Sequence, residues 1–163
     1  MEVRLNENVE CTLKSNIEIL FMHLKNSIEE YIEKGECMGD LKYINAYLAA
    51  TINAIVSYVD KLIEIKRLQE NDVIEALKFV NNLHKHNPNF VSVTKRIGGF
   101  SFPMSFPLEI ECFNIVWSEC IGLTTKKVQQ KNAYEKIFQH KEILNSLNTI
   151  VEKLLSENED KRL

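Results

Sequence analysis

Apolar residues recur at steps of three and four through most of this chain, which is the spacing of one face of a helix. The first such run extends from about Leu13 to Lys34. Leu13, Ile17, Leu20, Phe21, Leu24, Ile28, Tyr31 and Ile32 form one stripe, with Lys14, Glu18, Lys25, Glu29 and Glu33 on the other side. Gly35 supplies a stop. A second run extends from Asp40, a good N-cap, to about Leu68. Its stripe of Leu41, Ile44, Leu48, Ile52, Ile55, Val59, Leu62 and Ile63 is widened by Tyr47, Ala50, Ala54 and Tyr58, so this helix is expected to touch two or more neighbours. A third helix is predicted from Asn71 or Asp72 to about His84, with Val73, Leu77, Val80 and Leu83 inward and Pro88 closing it.

The pattern then changes. Between Phe90 and Trp117 the residues are β-formers and turn-formers: Val91, Val93, Ile110, Cys112 and Phe113, with Gly98-Gly99 as the strongest turn signal and Pro103 and Pro107 barring a helix between them. One or two short strands are expected there, around an apolar loop of Phe100, Phe102, Met104 and Phe106. Helical spacing resumes near Thr124 or Thr125 and runs to about Asn158 through Val128, Ile137, Leu144, Leu147, Val151 and Leu154, with a break expected near His140. The pattern predicts a mainly all-α fold over residues 1–163: a single domain, an up-and-down four-helix bundle with a short β or irregular insertion before the last helix.

Composition narrows the function classes. With 20 basic and 23 acidic residues the chain has a formal charge of −3, so the strongly basic footprint of many nucleic-acid binders is absent and only a local basic patch remains open. Neither a signal-peptide pattern nor a membrane span of ~18 uncharged apolar residues is recognised; the longest lightly charged run, Tyr43 to Val59, is interrupted by Asn45, Thr51, Asn53 and Ser57 and is read as a buried bundle helix. Cys11, Cys37, Cys112 and Cys120 form no C-x-x-C pair, and are read as reduced thiols of a cytoplasmic protein, mostly core filler.

Candidate chemistry concentrates in Asn81-Asn82-Leu83-His84-Lys85-His86-Asn87-Pro88, where two imidazoles, a lysine and three amides crowd the end of one helix. Histidine is the side chain suited to proton transfer near neutral pH, and Lys85 with the amides offers a phosphate hydrogen-bond donors. The plain alternative is a capped helix end at which His84 and Lys85 are cationic partners of the helix dipole. No metal ligand set is expected, because His84 and His86 lie two apart, His23 and His140 are distant, and no cysteine is near. No glycine-rich phosphate loop is present, and no cofactor is implied.

This stretch resembles the motif of the HEPN superfamily, helical bundles that are usually dimeric, many of them metal-independent ribonucleases of toxin–antitoxin, phage-defence and CRISPR systems. The family motif is an arginine, often followed by a polar residue, with a histidine four to six residues on. Its histidine falls on His86, its polar residue on Asn82 and its arginine on Asn81. The resemblance implies His86 as the catalytic acid or base, with Asn81, Asn82, His84, Lys85 and Asn87 around the ligand. With Asn81 where the phosphate-binding arginine belongs, it implies a catalytically degenerate homodimer that binds RNA, a nucleotide or a partner protein. The competing expectations are a non-enzymatic helical interaction module and an active metal-independent ribonuclease.

Overall fold

In the structure, a computed structural model, residues 5–34, 41–84, 91–100, 108–120 and 127–156 are described. They form α1 (Glu7–Lys34), α2 (Leu41–Glu64), α3 (Asp72–His84), β1 (Val91–Phe100), β2 (Leu108–Trp117), α4 (Val128–Ile137) and α5 (Ile143–Leu155). The fold is mainly α, with an antiparallel hairpin before the last helices, as the periodicity predicts. The last helical run divides into α4 and α5, with the break falling around His140.

Each helix begins and ends for a local reason. At the start of α1 the Asn6 side-chain oxygen accepts the Asn8 N–H at 2.9 Å, and Glu7 and Glu10 lie in the first turn, where the dipole favours anions. The helix therefore starts a turn and a half before its first apolar stripe residue. Asn71 caps α3, its side chain accepting the Ile74 N–H at 3.1 Å. α2 stops at Glu64, earlier than its apolar pattern. Lys66 takes a left-handed backbone with φ 60°, while Arg67 N–H donates to Leu62 O at 2.8 Å and Lys66 N–H to Ile63 O at 2.9 Å. That pair of bonds is a Schellman motif, usually closed by glycine; with lysine in that position the sequence carries no stop signal.

α1 packs on α2, α2 on α3, α3 on α4, and α5 returns to α1 and the hairpin. The core is built from Ile17, Leu24 and Ile28 of α1, Leu48, Ile52, Ile55 and Leu62 of α2, Leu77 and Val80 of α3, and Ile143, Leu147 and Leu154 of α5. α2 buries the widest arc, as its double stripe predicts. It is also long and apolar enough to cross a bilayer by length and composition alone, with a mean hydropathy of 1.2 over 18 residues; in this fold one face of it is core.

The strands pair from Val91↔Trp117 to Phe100↔Leu108. Gly98 and Gly99, expected to turn the chain, lie inside β1, and the connection falls on 101–107. Phe102, Met104 and Phe106 of the expected apolar loop lie there, outside the described residues. Alternation sends Val91, Phe113, Ile115 and Trp117 to the core face. Trp117 is the hub: fully buried, stacked on Phe138 with ring centres 4.9 Å apart and edge-on to Tyr134 at 6.3 Å. Its indole N–H donates to Ser146 Oγ at 2.8 Å, and Tyr134 donates its hydroxyl proton to Ser118 O at 2.7 Å. The end of β2 thus anchors both α4 and α5.

Among the described cysteines Cys120 is buried and Cys11 is exposed, so the expectation of core filler holds for Cys120 alone of these two. Burial pushes the Cys120 thiol up to about 11, with the Glu135 charge adding to it, so it stays protonated at neutral pH.

Candidate functional site

The polar end of α3 is the first candidate. Asn81, Asn82 and His84 occupy its last turn, all half-buried, while Ile74, Leu77 and Val80 hold the helix to the core. Burial pushes the His84 imidazole down to about 4. It is therefore neutral at physiological pH and is not the cationic dipole partner that a helix-end histidine suggests. Lys85, His86 and Asn87 lie outside the described residues.

A second polar feature has no counterpart in the sequence reading. The chain leaves α4 through Phe138, Gln139 and His140, and His140 takes a left-handed φ of 63°. The reversal is held by backbone bonds across the end of β2: His140 N–H to Trp117 O and Trp117 N–H to Lys141 O, both 3.1 Å. Glu142 completes a bridge with Val116. The turn between α4 and α5 thereby becomes a short third rung on the hairpin.

This rung encloses a groove of about 640 Å³. Its floor is the outward face of the hairpin, Thr94, Asn114 and Val116, and its wall is the His140–Ser146 stretch. Glu142 lies in the wall, and the Asn145 amide donates to one of its carboxylate oxygens. With its nitrogen oriented inward, the Asn114 amide donates to Phe113 O and to Glu142 Oε1, both at 3.2 Å. At the rim His140 Nε2 lies 3.0 Å from Glu119 Oε1.

The two candidates are separate: Asn81, Asn82 and His84 do not line the groove. Its residues come from positions 94–146, and only the predicted break near His140 touched them in advance. No three His, Cys, Asp or Glu side chains come together as a metal site among the described residues.

A third polar cluster is structural. Glu10 of α1 accepts the Tyr58 hydroxyl at 2.8 Å and an Arg67 N–H at 2.8 Å, with Lys14 3.4 Å away. Burial alone would raise the Glu10 carboxyl. The hydrogen bonds from Tyr58 and Arg67, with the charges of Arg67 and Lys14, outweigh it and hold the group at about 2. Burial, with the Glu10 hydrogen bond and charge, keeps the Tyr58 hydroxyl protonated.

Compared with models of known protein families, with curated proteins and with solved structures, the chain matches none.

Proposed function

We propose that the chain is a HEPN-like helical bundle that acts by binding rather than by cleavage. It pairs with a second copy through the outer faces of α1 and α2 and presents the polar end of α3 to RNA or a nucleotide. The setting is the defence or toxin–antitoxin one that the resemblance implies.

The observation that carries the pairing is the outward side of α2. From Tyr43 to Val59 this helix has no charged residue, yet Tyr43 is 59% exposed, and Ala46, Asn53 and Ser57 also face out. His23 of α1 stacks on Tyr47 of α2, ring centres 5.3 Å apart. Ile19 lies one turn from His23 and Met22 beside it, each half exposed. In a two-fold interface a residue near the axis meets its own image, so a charge there would repel itself. The charge-free stretch of α2 from Tyr43 to Val59 satisfies that condition, with the Lys42 ammonium at its edge 5.2 Å over the Tyr43 ring, and tyrosine is a side chain that interfaces favour. Binding rather than cleavage is supported by Asn81 at the arginine position of the motif, since a neutral amide cannot offset developing phosphorane charge as a guanidinium does.

The test is sedimentation of the full chain at micromolar concentration. Wild type is expected at twice the 18.9 kDa chain mass, and Tyr43→Glu and Met22→Glu, each at an exposed position, as folded monomers. A wild-type monomer overturns the pairing.

A further inference from the structure

The groove between the hairpin and the α4–α5 turn has a definite hydrogen-bonding polarity. The Asn145 nitrogen is spent on Glu142, and the Asn114 nitrogen on Phe113 O and Glu142. The Asn145 amide therefore has its carbonyl oxygen, an acceptor, left to offer, whereas the Asn114 oxygen faces donors of the protein itself. The Glu142 carboxylate has room for about four hydrogen bonds and takes two from these amides. Ser146, at the back, is occupied by Trp117 and by the carbonyls of Glu142 and Ile143. The Lys141 ammonium, from a residue that also lines the groove, donates to the Lys136 carbonyl at 3.4 Å.

The result is a carboxylate flanked by the Asn145 amide oxygen in an open groove of about 640 Å³, within the roughly 300–1,000 Å³ of small-ligand sites. A guest must bring donors and positive charge. The Glu142 carboxylate, at the N-cap residue of α5, disfavours an anion there. Among cations, an ammonium is a point charge with three donors, whereas a guanidinium presents five in one plane and meets a carboxylate with two parallel bonds. We infer that this groove binds a guanidinium group, anchored on Glu142 and flanked by the Asn145 amide oxygen. The group is carried either by a small free cation or by an arginine side chain of a partner segment. This site is separate from the α3 end and does not rest on the pairing of α2.

The test is a titration of the full-length ¹⁵N-labelled chain, read from the backbone signals of residues 140–146 and the side-chain amides of Asn114 and Asn145. Three probes are compared: agmatine, an N-acetylated arginine tripeptide amide, and the same tripeptide with citrulline, which replaces the guanidinium by a neutral urea of the same shape. Agmatine or the arginine peptide is expected to shift these signals and citrulline to leave them in place. The tighter of the two guanidinium probes identifies the source. Glu142→Gln is expected to weaken binding at least about tenfold, since it removes the charged partner of the contact. Thr94→Arg, at an exposed strand position, places a guanidinium in the groove from the protein's own chain and is expected to abolish binding; it decides the matter should Glu142→Gln misfold. The inference is overturned by the absence of groove shifts with either guanidinium probe at about 10 mM. It is equally overturned if citrulline binds as well as arginine, or if a folded Glu142→Gln or Thr94→Arg binds as tightly as wild type.

Discussion

Replacing Glu10 with glutamine removes the one negative charge in the contact that closes the start of α1 onto the end of α2. A carboxyl held at about 2 against an ordinary 4.5 corresponds to roughly 3 kcal/mol of stability at full weight. The Arg67 side chain is 42% exposed, so solvent screens the pair, and about 1–2 kcal/mol is the expected contribution. Because the folded-state value is depressed, this stability is fully present above pH 4.5 and is lost as the pH falls toward 2. Urea unfolding of wild type and Glu10→Gln, measured in steps from pH 7 to pH 2, isolates this one group, since the other carboxyls titrate in both proteins. Wild type should be more stable by about 1–2 kcal/mol near neutrality, or about 2–8 °C in Tm for a chain of this size. The difference should close between 4.5 and about 2. A difference that stays constant across that range would refute the assignment of the Glu10 shift to Tyr58, Arg67 and Lys14.

Three further outcomes are expected. Trp117→Ala should cost about 3–5 kcal/mol, read from the urea midpoint by circular dichroism; a loss under 1 kcal/mol would contradict the role of Trp117 as the packing hub for α4 and α5. At Lys66 a β-branched residue fits the left-handed backbone poorly, so Lys66→Val should destabilise by about 1–2 kcal/mol, while Lys66→Gly should be neutral or better; equal midpoints would show that the turn reshapes. RNA incubated in EDTA with purified wild type should stay intact. Cleavage by wild type that His86→Ala removes, a loss on the order of 10²–10⁴ in rate, would replace the binding reading with a metal-independent ribonuclease.

The helices and their inward faces were legible in the sequence, because helical burial repeats within four residues and leaves its mark in local spacing: Ile17, Leu24 and Ile28, or Leu147, Val151 and Leu154, are adjacent on a stripe before any tertiary contact exists. The C-terminal end of α2 shows where that legibility stops. Its wide buried face is read from Leu41 to Leu62, but its end at Glu64 depends on a left-handed lysine, a geometry that glycine announces and lysine does not. The hairpin could be placed by its β-formers, yet its register put Gly98 and Gly99 inside a strand, because pairing across two long strands outweighed the local turn preference of the glycines. The polar clusters that join distant segments were not legible at all. Glu10 and Arg67 are 57 residues apart, Trp117 and Ser146 are 29 apart, and Asn114 reaches Glu142 only because the α4–α5 turn adds a rung to β2. Such contacts have no period. They exist only once the core has brought distant backbone segments to hydrogen-bonding distance, so the groove belongs to the tertiary structure, whereas the helical faces were already written in the order of the residues.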